Sequence, residues 1–116
     1  MKITDSSKEY TCAVLEVLTI IGGKWRIPIL WRLAQAQTPL RYNELKRQLD
    51  GITNIMLTRS LREMEEKDLI FRKVHHAIPP HVEYSLSTQA KKLIPALELV
   101  NQWGQEWLEK TESAKK

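Results

Sequence analysis

Two short stretches of alternating polar and apolar residues lie on either side of a di-proline in the second half of the chain. The first extends from Leu69 to His76, and Pro79-Pro80 stops it. In the second, which follows the di-proline, every other residue is apolar: Val82, Tyr84 and Leu86. Successive side chains of a strand point to opposite faces, so a period of two predicts strands. The pattern therefore predicts a β-hairpin with one apolar face that other elements must cover.

Helical periodicity precedes this hairpin. Apolar residues at three- and four-residue steps predict a short helix from about Tyr42 to Leu49, and Asp50-Gly51 is a turn dipeptide. Thr53 is then positioned to cap a second helix. The core-facing stripe of that helix comprises Leu57, Leu61 and Met64. Two short helices joined by a glycine-containing turn are typical of a helix-turn-helix, so we predict one at about residues 42–67, followed by a wing at about 69–87.

Further helices are expected on both sides of this unit. One runs from about Cys12 to Ile21 and ends at Gly22-Gly23, since glycine readily takes the left-handed conformation that closes helices. The next runs from about Trp25 to Ala36, and a long last helix covers about residues 88–110. The predicted fold class is mainly α with a small antiparallel β-hairpin, a winged helix-turn-helix in a single domain of residues 1–116.

The last helix carries a longer apolar seam than a small domain can cover. Its apolar positions step alternately by three and four residues over about five turns, as in a coiled coil. A partner helix would cover the seam, which predicts a homodimer formed by the helices at about 12–21 and 88–110. The alternative, that the seam packs wholly on its own domain, stays open. The residues assigned to dimerisation are Leu93, Leu97, Val100, Trp103, Gly104 and Trp107.

Charge is distributed unevenly along the chain. Eight basic and two acidic residues lie from Lys24 to Arg62, and four acidic residues follow from Glu63 to Asp68. The second helix of the helix-turn-helix therefore has a basic front half and an acidic rear half. One interpretation is that the basic half faces a polyanion. The other is a solvated helix face with ion pairs four residues apart, such as Arg59–Glu63 and Arg62–Glu66.

The composition narrows the class of protein. At 116 residues and 42% hydrophobic, the chain suits one globular domain, and its net charge of +4 says little about partners. No apolar run approaches the ~18 residues of a membrane span, and the N-terminus lacks a signal-peptide hydrophobic region. The single cysteine, Cys12, excludes an internal disulfide and fits a reducing compartment. We therefore expect a cytoplasmic protein without membrane attachment.

Several segments together resemble one family of bacterial regulators. They are GGKW at 22–25, RYNEL at 41–45, GIT, LT and LRE between Gly51 and Glu63, PPHVEYSLS at 79–87, and Trp103-Gly104. Together with the cysteine that opens the first helix, their order resembles the HxlR family of winged helix-turn-helix transcriptional regulators, from about Cys12 to Leu108. The resemblance implies a homodimer that binds palindromic promoter DNA without catalysis. The chain departs from the family pattern at Ala13, Pro28, Asn54 and Ile55.

In a domain of this kind the second helix of the helix-turn-helix lies in the major groove of DNA. There an arginine can pair with guanine, an asparagine can read adenine, and an aliphatic side chain can pack on a thymine methyl. Basic residues before the helix and the amides at its start are expected to hold phosphates, and the wing histidines to touch the neighbouring backbone or minor groove. The expected DNA-contacting residues are Arg41, Asn43, Lys46, Arg47, Thr53, Asn54, Ile55, Thr58, Arg59, Arg62, His76 and His81.

Metal and catalytic chemistry find little support in the sequence. Three histidines lie between residues 75 and 81, but their spacing matches no zinc finger and no cysteine or carboxylate stands at ligand spacing. We therefore expect no metal and no other cofactor. No nucleophile and base stand in an arrangement that indicates an enzyme.

Cys12 is a candidate sensor. It opens a predicted helix, whose dipole favours the reactive thiolate. The family resemblance adds that some members sense electrophiles or oxidants through a cysteine at this position. The alternative is a small buried residue at the dimer surface.

The leading hypothesis is a dimeric, sequence-specific DNA-binding transcriptional regulator, with Cys12 as its candidate redox or electrophile sensor. One alternative is a winged-helix module for protein–protein interaction, in which the basic face is incidental. Another is a regulator that responds to a small molecule, of unknown identity, without redox sensing.

Overall fold

Five helices and three strands make up residues 13–114, the part of the chain that the computed structural model describes. In chain order they are α1 (Ala13–Ile21), α2 (Arg26–Ala36), β1 (Leu40–Arg41), α3 (Tyr42–Gln48), α4 (Asn54–Glu66), β2 (Ile70–His75), β3 (His81–Leu86) and α5 (Thr88–Ala114). The strands form one antiparallel sheet in the order β1-β3-β2. The predicted fold class, mainly α with a small antiparallel hairpin, is confirmed.

The hairpin of β2 and β3 has the apolar face that its alternation predicts. Tyr84 and Leu86 are buried and Val82 is half-buried. β1 is a third strand that the sequence did not predict, and its Leu40 pairs with Tyr84. A two-residue strand is too short to display a period of two, so its pattern gives no signal. This short strand anchors the wing to the start of the helix-turn-helix.

The core lies between α2, the helix-turn-helix and the inner face of the sheet. The largest side chains with less than 2% of their surface exposed are Ile29, Leu30, Leu45, Leu57, Met64 and Ile70. The predicted stripe of α4 is confirmed, because Leu57, Leu61 and Met64 are all buried. Burial of one such side chain contributes roughly 1.5–3 kcal/mol, so the stripe determines which face of α4 is left outside.

Local hydrogen bonds determine where α4 and α5 begin. The Thr53 hydroxyl accepts from the N–H of Met56 at 3.1 Å, which confirms the predicted N-cap. At the start of α5 the Ser87 hydroxyl accepts from the N–H of Ala90 at 3.0 Å and donates to the carbonyl oxygen of Asp68 at 2.7 Å. Ser87 therefore ties the end of the wing to the corner between α4 and β2.

The break between α1 and α2 needs both of its glycines. A side chain at Gly22 would collide with the carbonyl oxygen of Leu18, and Gly23 has a φ of 101°, which only glycine adopts readily. Pro28 follows in the first turn of α2, where its missing N–H costs little. The glycine pair therefore ends α1 where the sequence predicts. Cys12, the residue before α1, lies outside the described residues.

The second half of α5 extends away from the core. Leu97 is the last buried residue of this helix among the residues whose side chains are described, up to 112. The radius of gyration is 17.0 Å, whereas a compact domain of about 100 residues has one of about 13 Å. A single copy of the chain therefore leaves the end of its longest helix without a core of its own.

Candidate nucleic-acid interface

One face of α4 is available to a large partner. It is the face opposite the buried stripe, and Ile55 at its centre is 73% exposed. Five of the predicted DNA-contacting residues line one shallow groove on this face: Asn54, Ile55, Thr58, Arg59 and Arg62. Thr53, a sixth, is exposed at the start of the same helix. The structure therefore brings together the residues expected to face bases.

The acidic half of α4 does not neutralise these arginines. Glu63 pairs with Arg26 of α2, with 2.9 Å between Arg26 Nη2 and Glu63 Oε1. Neither of the ion pairs that the alternative interpretation expected along α4 forms among the described residues, where Arg59 and Arg62 have no carboxylate within 4.0 Å. Arg26 thus holds the carboxylate that stands four residues after Arg59, and both α4 arginines keep their charge available.

Tyr42 is a residue of this site that the sequence reasoning missed. Its hydroxyl oxygen lies 3.0 Å from Oδ1 and 3.1 Å from the carbonyl oxygen of Asn54, and 3.3 Å from Oγ1 of Thr58. A proton donated to Asn54 Oδ1 leaves the NH2 group of this amide to face a ligand. Tyr42 therefore links α3 to the first turn of α4. The available signal was an aromatic residue with a polar tip at the start of a short helix.

A second groove connects α3 to the wing. Among its lining residues are Arg41, Asn43 and Arg47 from the helix side and His81 from the wing. Arg41 lies there because β1 pairs with β3, which sets it opposite Glu83. Lys46 is half-buried and His76 is exposed, and neither lines this groove. The basic residues expected to hold phosphates are thus divided, because Arg41 and Arg47 lie beside the wing and Lys46 does not.

The wing also holds a cluster that linear spacing did not reveal. His75, His81 and Glu83 offer one ligand atom each, and these atoms lie within 4.8 Å of one another. The expectation that no carboxylate stands at ligand spacing is wrong at this point, because Glu83 lies two residues after His81 on β3 and strand pairing sets His75 opposite His81. The available signal in the sequence was the short connection at 76–80. Its length sets the register in which His75 lies opposite His81.

The apolar seam of α5 divides at Leu97. Leu97 is buried and Leu93 half-buried in the chain's own core, while Gly104 is half-buried. Val100, Trp103 and Trp107 are each more than half exposed, and the two indole rings stack with centroids 6.4 Å apart. On α1 three further apolar side chains are exposed: Val14, Leu15 and Leu18. The predicted dimerisation residues therefore include two that the chain itself covers and three that it does not.

An apolar groove of about 600 Å³ lies between α2 and α5. Its walls include Trp25, Trp31, Leu97 and Val100. The indole Nε1 of Trp25 is buried and has no hydrogen-bond partner among residues 13–114. Buried donors normally have a partner, so this indole N–H is an exception within the described residues.

A helix-turn-helix followed by a hairpin that lies beside the second helix, with the short strand β1 completing the sheet, defines a winged helix-turn-helix protein. The sequence profile described as HxlR-like helix-turn-helix matches residues 20–112. The chain belongs to the HxlR family, and it is a transcriptional regulator of this type. In the part of the chain that is described, no helix is both long and apolar enough to cross a membrane.

Relatives agree with this assignment in sequence and in structure. The regulatory protein MalR of Fusobacterium mortiferum is 42% identical over 102 residues, which cover 88% of this chain and 95% of MalR. The structure of the HTH-type transcriptional regulator ytcD has a TM-score of 0.77 at 38% identity, with 85% of this chain and 99% of ytcD covered. The redox regulator HypR in its reduced form has a TM-score of 0.79 at 35% identity, with 88% and 99% covered.

Proposed function

We propose that the protein is a homodimeric, sequence-specific DNA-binding regulator that works in the cytoplasm. The observation that carries the proposal is the exposed face of α4, on which Arg59 and Arg62 stay free of the acidic residues of their own helix. Arginine side chains without an internal partner are suited to pair with guanine or phosphate. Membership of a helix-turn-helix family supports the same reading.

The expected mechanism is direct readout in the major groove by α4. Arg59 or Arg62 would pair with guanine, Asn54 would donate its amide to a base or phosphate, and Ile55 would pack on a thymine methyl. Arg41 and Arg47, in the groove beside the wing, would hold the phosphates that fix the register. The buried stripe of α4 holds this helix rigidly, so the outward residues reach the base edges in a fixed order.

Dimerisation would follow from the apolar surfaces of α1 and α5. Exposed tryptophans and leucines at this density are unusual on a surface that stays in water, and a second copy of the chain would cover them. A twofold dimer presents two α4 helices, so the target would be a palindrome with half-sites about 34–36 Å apart, or one turn of DNA.

Selection of bound sites from random duplex DNA tests this function. A palindromic motif is the expected result, together with affinity that falls steeply with the logarithm of salt concentration. Recovery of no motif and binding that stays weak at low salt would favour the alternative, a winged-helix module for protein–protein contact. Lys67→Ala serves as a control variant, because it removes a positive charge at an exposed position past the end of α4. It should leave the selected motif and the affinity for DNA unchanged.

Redox control through Cys12 is the regulatory part of the proposal. Cys12 directly precedes α1, whose exposed apolar side chains belong to the expected dimer surface, and the similar protein HypR is a redox regulator. Because the chain has one cysteine, oxidation could produce a bridge between subunits, a mixed disulfide or an oxyacid. Diamide should change DNA binding of the wild type but not of Cys12→Ser. An equal response of both proteins would end this idea.

The groove between α2 and α5 favours a second candidate, control by a small molecule. Its volume and its two tryptophans suit an aromatic ligand. Screening such compounds by tryptophan fluorescence would test it, with Trp31→Phe as the variant that loses part of the groove wall. Compounds that bind this variant as well as the wild type would occupy another site.

A further inference from the structure

We propose that His75, His81 and Glu83 form a binding site for a divalent transition-metal ion of the zinc class on the wing. The inference goes beyond the proposed DNA-binding function, and a zinc titration tests it in the absence of DNA. Imidazole nitrogen and carboxylate oxygen are the ligands that zinc takes in sites with two histidines and one glutamate. Such sites leave a fourth position for water or another donor.

The register of the hairpin brings the three residues to one face. His75 and His81 are directly paired across the two strands, and Glu83 stands two residues further along β3. Residues paired across an antiparallel ladder, and those two apart on one strand, share a face of the sheet. That face is opposite to the one on which Tyr84 and Leu86 enter the core. The core therefore fixes the face on which all three ligands lie.

The hydrogen bond of His81 indicates which of its nitrogens is available. Its Nδ1 lies 3.3 Å from the carbonyl oxygen of Pro79, which can only accept, so this contact favours the tautomer with the proton on Nδ1. Metal-binding histidines commonly donate their other N–H to a backbone carbonyl in this way. In the neutral ring, Nε2 then presents a lone pair toward Glu83.

In this neutral tautomer two acceptors face each other. His81 Nε2 and Glu83 Oε2 are 3.6 Å apart. Two ligands of a tetrahedral zinc ion, with bonds of about 2.0–2.1 Å, are roughly 3.4 Å apart. A cation between the two atoms would relieve the unfavourable approach of their lone pairs. The separation thus matches the span of a coordinated ion.

His75 completes the set after a small rearrangement. Its Nε2 lies 2.7 Å from Glu83 Oε1, and its ring stacks on that of His81 with centroids 4.6 Å apart. To bind an ion, Nε2 must give its proton to Nδ1 or to water, and the ring must turn so that its lone pair converges with that of His81. Both rings are partly exposed, which leaves room for this rotation.

An ion at this site would affect the part of the wing nearest to α3. It would fasten the two ends of the connection at 76–80, and His81 lines the same groove as Arg41 and Arg47. Glu83 is also the cross-strand partner of Arg41. The bound ion would therefore stiffen the wing and add positive charge beside the arginines.

Calorimetric titration with zinc chloride tests the site. The protein should carry no affinity tag, and Cys12→Ser should be the background, because a thiol is itself a strong zinc ligand. We expect one zinc ion per chain, with His81→Gln and Glu83→Gln each weakening the binding at least tenfold. His76→Gln is the matched control, since this histidine is exposed and lies outside the cluster. It should bind zinc as the background does.

Two results would overturn the proposal. One is zinc binding that is equally tight in the background protein and in His81→Gln, and the other is an equal loss in His76→Gln. If a variant folds poorly, the ring ¹⁵N signals of the background protein decide the question. Zinc should move the signals of His75 and His81 and leave that of His76 in place. Signals of His75 and His81 that stay fixed under saturating zinc would also refute the site.

Discussion

α4 and α5 are both amphipathic helices, but the chain buries their apolar sides very differently. The stripe of α4 lies wholly inside the core, and its opposite face carries arginines and one isolated isoleucine. The seam of α5 enters the core only as far as Leu97 and then continues into solvent with two stacked tryptophans. The apolar side of α4 is therefore fully packed within a single chain. The apolar side of the end of α5 is left exposed and would be buried only by a further partner.

The largest effect in this comparison is expected from the buried side of α4. Leu57→Ala should lower the free energy of unfolding by about 2–5 kcal/mol, because it leaves a cavity at a position with no exposed surface. Ile55→Ala is the matched control on the same helix, and it should change stability by less than about 0.5 kcal/mol because Ile55 is exposed. Urea denaturation at one fixed protein concentration measures both. Equal losses would contradict the assigned orientation of α4.

The exposed half of α5 should respond in association rather than in folding. Trp103→Ala is expected to weaken the dimer by roughly 2 kcal/mol or more, about 30-fold in the dissociation constant, as for a central aromatic residue of an interface. Gln105→Ala, two residues further on and therefore on the other side of the helix, should leave the dissociation constant unchanged. Sedimentation equilibrium measures this constant. A monomeric wild type would refute the dimer directly.

The outer face of α4 should affect the choice of DNA sequence. Arg59→Ala is expected to lose about 1–3 kcal/mol of discrimination at one base pair of the selected motif. Arg47→Ala, beside the wing, should weaken binding to specific and random duplexes alike and lower the salt slope by about one. Competition binding with both duplexes separates the two effects. If Arg59→Ala weakens both duplexes equally, Arg59 holds a phosphate instead of a base.

The same two helices show how far the sequence determines the structure. The stripe of α4, its cap Thr53 and the alternation of Val82, Tyr84 and Leu86 are local patterns, and each predicts its element. The length of the α5 seam is also local, but where the core stops covering it depends on α2, which packs against it. Periodicity therefore predicts that α5 is amphipathic and not that coverage ends at Leu97.

The candidate sites also differ in how far local patterns predict their residues. The outward residues of α4 follow from helical geometry once its core stripe is known. Tyr42, β1 and the cluster around Glu83 depend on contacts between separate elements, such as the Tyr42–Asn54 hydrogen bond and the β1–β3 pairing. Such contacts leave no periodic signal in a single sequence. The sequence therefore predicted Asn54 and His81 as site residues but not Tyr42 and Glu83, which contact them.

The smallest of the expected effects tests one of these contacts between elements. Tyr42→Phe removes the hydroxyl that lies within hydrogen-bond distance of Asn54 and Thr58, so stability should fall by about 0.5–1.5 kcal/mol. The amide of Asn54 would then lose its fixed orientation, and selectivity at the base pair nearest to it should relax. Competition binding should show this relaxation while affinity for random DNA stays unchanged.

A double-mutant cycle with Asn54→Ala separates orientation from general loosening of the fold. If Tyr42 acts by orienting the amide, its substitution should change DNA selectivity very little once the amide is absent, because the two residues act as one unit. Additive losses of selectivity would instead mean that Tyr42 contacts DNA or supports α4 by another route. In either case the result decides whether the exposed face of α4 needs a side chain from α3 to position one of its proposed base contacts.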